Sequence, residues 1–336
     1  MKLARLPSFP HLRAFPWPAA VAVSTVFGCA LVPPAPRGDA PKAESLRLRL
    51  PDLSSPLTEV FPRQAGPPQD PLKAAVFERI NRDRAAAGLL PVAWDEAASR
   101  VADAFCAQQV REATRGHFLM DGIPPYGRTG LSGVFGAQSE NSASWVTTGT
   151  SFDQSEQWLA ILGHEEMMSE KPPADGHRRT ILDPEATHVG VGHALGGGRF
   201  QMAQEFLVRG LERLTLSERD ARHAVVRFEG KALPDRRLEF VTIAREPPPA
   251  PLTREQASGR TSYSYPTAVI AYVPEGGPGV RISGTDTREK IRVWPNRDFS
   301  FLFAPDRPGL YTFVFYTAIR ASENARPGGS AAIWVE

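Results

Sequence analysis

The spacing of apolar residues after residue 70 is that of helices with one buried face. From Leu72 the apolar positions recur every three or four residues, and Asp70 followed by Pro71 is typical of an N-cap and a first helical residue. The same spacing predicts further helices over residues 95–115, 151–162 and 175–182. Gly163 is expected to end the third of the four.

Further along the chain the apolar period shortens to that of strands. THVGVGHAL and RFQMAQEFLV, separated by a glycine-rich turn, predict a hairpin. Beyond about residue 213 apolar residues alternate, as Phe299, Phe301 and Phe303 do, and Pro and Gly turns separate the runs. Such strands predict an all-β sandwich of roughly 120 residues. Helices followed by strands favour an α+β or stacked α-β-α fold over a doubly wound one.

The N-terminus predicts export. Scattered basic residues precede an apolar run from Trp17 to Gly28, which is shorter than the about 20 residues of a membrane span. Cys29 follows in a sequence similar to a lipoprotein box, so we expect lipidation at Cys29; ordinary secretion and an apolar segment without a targeting role are the alternatives. The predicted organisation is a signal peptide (1–29), a Pro-rich linker (30–70), a mixed domain (71–210) and a β-sandwich domain (211–336).

Charge and cysteine content limit the range of functions that the sequence allows. The chain has 39 basic and 37 acidic residues and no basic stripe, so we expect no nucleic-acid partner. Membrane association is expected only through the N-terminal lipid. With Cys29 lipidated, Cys106 is the single remaining cysteine, and we expect it to be buried rather than reactive.

Five of the seven His residues fall between residues 117 and 193, close to Glu140. HEEMM lacks the second His of a zinc-peptidase helix, and the sequence has no GxSxG motif, so neither hydrolase pattern is present. His188 and His193 are five apart on a predicted strand and therefore point to opposite faces, which predicts packing roles.

Four segments together resemble the CAP superfamily of cysteine-rich secretory and pathogenesis-related proteins. INRDRAAAGLLPVAWDEAASRVADAFCAQQ is similar to its opening helices, and SEN at 139–141 resembles its Gly-Glu-Asn element. GHRRTILDPEATHVGVG resembles the bacterial form of its signature, and AQEF at 203–206 suits the partner strand. The resemblance covers about residues 71 to 210.

The resemblance implies an α-β-α sandwich with a cleft that contains two His and two acidic residues, and zinc in some members. His177 matches the signature His, Glu140 the first acidic residue and His117 the other His. His117 and His177 would be the metal ligands. The second acidic residue is open among Glu156, Glu165, Glu166 and Glu170, with Glu166 taken as the candidate.

We expect an exported, envelope-associated protein whose His/Glu cleft binds a small molecule, lipid or glycan, with metal optional. A zinc-assisted hydrolase that uses the same cleft is the alternative, and a structural or adhesion module is a third. Binding is favoured because two imidazoles are few ligands for zinc. The sequence leaves open whether the protein is an enzyme, and its oligomeric state.

Overall fold

The computed structural model describes residues 46–51, 68–149, 151–220, 224–276, 281–319 and 324–336. The expected signal segment and Cys29 lie outside the described residues, as does most of the expected linker. Across these described ranges, no helix is both long and apolar enough to cross a membrane.

The described residues form three helices of 14 to 17 residues, three shorter helices and strands of at most 10 residues. The helices are α1 (Pro71–Ala86), α2 (Glu96–Glu112), α3 (Pro125–Leu131), α4 (Glu156–Ser169), α5 (Gly176–Ile181) and α6 (Arg254–Gly259). The strands are β1 (Leu48–Arg49), β2 (Ala93–Trp94), β3 (Ala137–Val146), β4 (His188–Gly196), β5 (Arg199–Val208), β6 (Leu211–Asp220), β7 (Val225–Ala232), β8 (Arg237–Glu246), β9 (Ile270–Pro274), β10 (Asp286–Val293), β11 (Asp298–Phe303), β12 (Gly309–Ala318) and β13 (Arg326–Val335).

Local sequence signals place most helix ends correctly. The Asp70 carboxylate accepts the backbone N–H groups of Leu72 and Lys73, so it caps α1 as expected. The second helix ends three residues earlier than expected, at Glu112, because Ala113 adopts a left-handed conformation with φ 54°. The short helix that carries His177 forms where the sequence predicts it.

The prediction that Gly163 ends a helix is wrong. α4 begins after Ser155 and runs through Gly163 to Ser169. A Cβ atom at residue 163 would lie 2.9 Å from the Cβ of Ala143 on β3. This glycine therefore lets the helix pack closely against the sheet, which outweighs its low helix propensity.

A four-stranded sheet in the order β2-β4-β5-β3 lies at the centre of the first domain. Helix α2 covers one face so closely that a Cβ at Gly192 would lie 2.2 Å from the backbone carbon of Ala102. The opposite face packs against α1 and α4 in an apolar core that includes Val76, Leu159 and Val191. The expected α-β-α sandwich is therefore present, with β3 at one edge of the sheet.

The strands of the C-terminal region, residues 211–336, form most of a nine-stranded sheet in the order β1-β13-β12-β8-β9-β10-β11-β7-β6. The rings of Phe228 on β7 and Phe313 on β12 lie 4.4 Å apart, although four strands separate β7 from β12 in the sheet order. The sheet therefore folds over so that its two halves enclose an apolar core, as in a sandwich. Phe299, Phe301 and Phe303 all lie in this core, as their alternation predicts.

Part of the segment expected to be a linker is paired with the C-terminal region. Leu48 and Arg49 form an antiparallel pair with β13, and backbone hydrogen bonds join Arg47 and Glu336 in both directions. The two domains also contact each other directly, since Ser330 Oγ on β13 donates to the carbonyl of Gly136. The C-terminal region is therefore packed against the edge of the first domain.

Candidate functional site

The first half of the site is a buried contact between an imidazole, a carboxylate and a guanidinium. His117 Nδ1 lies 2.8 Å from Glu140 Oε1, and Arg128 donates to Glu140 Oε2. His117 and Glu140 are only 6% and 4% exposed. The ring of Phe105 supports the guanidinium, with 3.8 Å between the ring centroid and the Arg128 Cζ. The loop after α2 thus supplies the imidazole, β3 the anion and α3 the cation.

His117 is neutral at physiological pH. Burial lowers its pKa to about 4, and the nearby Arg128 guanidinium contributes to the shift. Because Glu140 accepts a hydrogen bond from Nδ1, the proton of the neutral ring is on Nδ1 and the lone pair is on Nε2. Among the described residues, Nε2 of His117 has no hydrogen-bond partner.

Glu205 lies beside Glu140, since the two residues are register partners on β5 and β3. Gln138 Nε2 donates to Glu205 Oε2 at 2.6 Å, whereas Glu205 Oε1 has no hydrogen-bond partner within the described part of the chain. Burial raises the pKa of Glu205 well above its ordinary value, and the Glu140 carboxylate raises it further. The raised pKa favours the protonated form of Glu205, which can donate to Glu140 beside the Arg128 guanidinium.

The second half of the site lies on α5. His177 Nδ1 is 2.5 Å from Glu170 Oε1, and Glu170 Oε2 accepts the backbone N–H of His177 at 3.0 Å. The Asn141 side-chain amide donates to the carbonyl oxygen of His177 at 3.1 Å. The side chain of His177 is 34% exposed, so this imidazole is the more accessible of the two.

The two imidazoles face each other with their centroids 6.4 Å apart and their planes 33° apart. In each ring Nδ1 is held by a carboxylate, and Nε2 lacks a hydrogen-bond partner among the described residues. We call His117, His177, Glu140 and Glu170 the imidazole cleft. This arrangement can accept hydrogen bonds from a ligand or bind a cation, and the carboxylates fix the ring orientations.

The donor set fits a metal ion only weakly. A carboxylate on the second nitrogen of each His is the usual arrangement around metal-bound imidazoles. However, the described residues contain no group of three or more His, Cys, Asp or Glu side chains placed to hold a metal. A divalent ion would therefore have two protein ligands, with water or a bound ligand supplying the rest. When bound, such an ion would polarise a ligand oxygen.

Two tyrosines of the C-terminal region complete the site. Tyr263 accepts the backbone N–H of Glu140, and Tyr265 accepts that of Gln138 at 2.7 Å. Both N–H groups belong to the edge strand β3, where they would otherwise lack a strand partner. The Tyr263 ring also packs edge-on against His117, with centroids 5.0 Å apart. The C-terminal region therefore caps the strand that carries Glu140.

The structure brings together His117, Glu140 and His177 but not Glu166. Glu166 is exposed on α4, and none of its side-chain atoms contacts either cleft imidazole in the described residues. Glu170, one of the four open candidates, is the carboxylate at His177. The other two candidates bind elsewhere: Glu165 pairs with Arg79, and Glu156 with His193.

The remaining His residues of the cluster lie outside the imidazole cleft, and two of them contact other carboxylates. His164 is fully buried, and its Nε2 lies 2.9 Å from the Asp83 carboxylate of α1. His193 lies between the carboxylates of Asp70 and Glu156. His188 is 5% exposed on β4. Cys106 is free and buried as expected, and burial raises the pKa of its thiol well above the ordinary value.

Sequence reasoning missed Arg128, Glu205 and Tyr263. The only local signal for Arg128 is Pro125, which begins the short helix α3. Glu205 lies in the AQEF segment, where strand pairing alone places it opposite Glu140. Nothing near Tyr263 in the sequence connects it with a strand more than 120 residues earlier.

The helices on both faces of the four-stranded sheet define an α-β-α sandwich, and this sandwich carries the paired imidazole–carboxylate contacts. Residues 77–208 match the model of the cysteine-rich secretory protein family, CAP, and the chain therefore contains a CAP domain. No curated protein matches the chain by sequence.

Solved structures with similar folds include an extracellular SCP-domain protein from Bacillus anthracis, with 22% identity over 40% of this chain and 39% of that one, at a TM-score of 0.31. An outer surface protein from Borrelia burgdorferi has 15% identity over 42% of this chain and 96% of its own, at a TM-score of 0.34. A venom allergen-like protein from Schistosoma mansoni has 10% identity over 39% of this chain and 83% of its own, at a TM-score of 0.27. Similarities at these identities and TM-scores carry no information about the ligands or the activity of this chain.

Proposed function

We propose that this protein is an exported, cell-envelope-associated binding protein whose imidazole cleft holds a lipid or glycan ligand without chemical turnover. The charged and apolar N-terminus, with Cys29 as the lipidation site, supports export and anchoring. The CAP domain provides the cleft, and the C-terminal region supports it through Tyr263 and Tyr265.

One observation argues against the carboxylates as catalytic bases and supports binding. Every carboxylate oxygen of the imidazole cleft already accepts a hydrogen bond from the protein: Glu140 from His117 and Arg128, and Glu170 from His177 and backbone N–H groups. A general base must be able to reach a substrate proton. These carboxylates instead orient the imidazoles, whose Nε2 atoms accept hydrogen bonds from ligand hydroxyl groups.

The hydrolase alternative needs a nucleophile or a metal-activated water. Cys106, the free thiol in the described part of the chain, is fully buried and donates toward the carbonyl oxygen of Gly192 at 3.5 Å. A water molecule would then be the nucleophile, activated by an imidazole Nε2 or by a metal ion with two imidazole ligands. The metal-assisted form of the alternative depends on metal occupancy.

Isothermal titration with two probes, chitotetraose and a lysophospholipid below its micelle concentration, tests the binding proposal. We expect one probe to bind the wild type and to bind His177→Ala at least tenfold more weakly, because an Nε2 acceptor is lost. Glu170→Gln should weaken binding because His177 loses its orienting carboxylate, whereas Glu166→Gln, on the exposed surface of α4, should bind as the wild type does. Absence of binding by both probes, or equal binding by all variants, would overturn the proposal.

Metal analysis and product analysis of the same samples test the alternative. Stoichiometric zinc that is lost in a His117→Ala, His177→Ala double variant, together with probe cleavage that is lost in parallel, would establish the hydrolase. Equal trace metal in both proteins, and intact probes after incubation, would support binding without turnover.

A further inference from the structure

A cavity that shares Tyr263 with the imidazole cleft lies where the CAP domain meets the C-terminal region. Its volume is about 410 Å³, within the range of sites for small ligands. The loop after α2 and helix α3 form one wall, which includes Phe118 and Tyr126. The Pro-rich segment 247–250 and the segment around Arg260 form the other. Because both domains build it, the cavity exists only in the assembled chain.

The walls are held in place before any ligand arrives. Leu252 donates its backbone N–H to the carbonyl of Met120 at 2.7 Å, which joins the two walls. Gly122, with φ +76°, approaches so closely that a Cβ there would lie 2.4 Å from the Ala250 carbonyl oxygen. Consecutive prolines fix the backbone of the opposite wall. A preformed cavity loses little entropy when it binds a ligand.

The residues that line the cavity favour a flat, apolar ligand. The rings of Phe118, Tyr126 and Tyr263 line it together with the prolines and Leu310. Flat rings gain stacking energy against aromatic faces as well as burial of apolar area. A ligand with an aromatic ring matches these walls better than a flexible polar chain does.

The polar groups of the cavity determine the orientation of a bound ligand. The Arg260 guanidinium lies over the Phe118 ring, 5.1 Å from its centroid, and is not ion-paired with any carboxylate in the part of the chain that is described. Glu246 has one oxygen occupied by the Tyr126 hydroxyl at 2.8 Å. Its other oxygen can accept a hydrogen bond. Arg260 therefore suits an anionic group and Glu246 a hydroxyl group.

We propose that this cavity is a second binding site, for a small aromatic organic anion that also carries a hydroxyl group. The anion pairs with Arg260, the ring packs between the aromatic and proline walls, and the hydroxyl group donates to Glu246. This site does not depend on the function proposed for the imidazole cleft.

Isothermal titration of the full chain with 4-hydroxycinnamate, and with the uncharged 4-hydroxycinnamyl alcohol, tests the assignment. We expect the acid to bind at least tenfold more tightly than the alcohol, a difference of about 1.4 kcal/mol. Arg260→Gln should lower the affinity for the acid to about that for the alcohol, because the exposed guanidinium that would pair with the carboxylate is lost. Arg100→Gln, which removes the same charge from the exposed surface of α2, should behave as the wild type does.

Three results would overturn the proposal. The first is equal affinity of the wild type for acid and alcohol, or no binding of the acid at millimolar concentration. The second is retention of the preference for the acid in Arg260→Gln. The third is loss of acid binding in His177→Ala, which would move the ligand into the imidazole cleft.

Discussion

Replacing Glu205 by Gln tests the protonation state of the buried carboxyl pair beneath His117. A protonated Glu205 accepts from Gln138 with one oxygen and can donate to Glu140 with the other. A Gln side chain at this position has the same shape, one acceptor and a permanent donor. Glu205→Gln should therefore keep both hydrogen bonds without needing a proton.

The expected effect grows with pH. Burial raises the pKa of Glu205 well above its ordinary value, so the folded chain keeps a proton that the unfolded chain releases above about pH 4.5. Wild-type stability should then fall by about 1.4 kcal/mol per pH unit above that point, relative to the variant, until the folded carboxyl ionises. Between pH 5 and pH 7 the free energy of unfolding of Glu205→Gln should gain up to about 3 kcal/mol over the wild type.

Urea denaturation at pH 5 and pH 7 measures this difference. Glu166→Gln is the matched control, because Glu166 is exposed and should leave the pH dependence unchanged. If the stability of Glu205→Gln relative to the wild type did not increase between pH 5 and pH 7, the folded Glu205 would not hold its proton over this range and the proton-sharing argument would fail.

Four further substitutions or titrations test other parts of the structure. Tyr263→Phe leaves the Glu140 N–H without its acceptor, which should lower the free energy of unfolding, measured by urea denaturation, by about 1–3 kcal/mol. An unchanged midpoint would show that β3 does not need this hydrogen bond. Gly192→Ala should lower the thermal midpoint sharply, because its Cβ would lie 2.2 Å from the backbone of α2, whereas Gly176→Ala, with open space around its Cβ, should have little effect. Arg84→Met should lower the free energy of unfolding by at least about 3 kcal/mol, because the fully buried guanidinium donates to four backbone carbonyls. A decrease below about 1 kcal/mol would contradict that role. In an NMR titration the His117 ring should stay neutral down to about pH 4. Its contribution to the free energy of unfolding should be lost as pH falls from about 6.5 toward that value. A titration midpoint near 6.5 would contradict the argument that burial lowers the pKa of His117.

The sequence by itself determined the local structure of the CAP domain. Asp70 and Pro71 fixed the start of α1 because a cap and its helix are neighbours in the chain. The β4–β5 hairpin formed as predicted because its turn and its alternation are also local signals. His117, Glu140 and His177 could be named because they lie in recognisable motifs.

Only the tertiary structure decided which groups meet at the site. Glu170 rather than Glu166 contacts His177 because α4 ends at Ser169 and the chain then turns toward α5. Glu205 reaches Glu140 through strand register, and Tyr263 reaches it from a loop of the C-terminal region. Capping and periodicity act over a few residues and can be read from the sequence. Strand register and domain packing join distant segments, so they become visible only when the chain is folded.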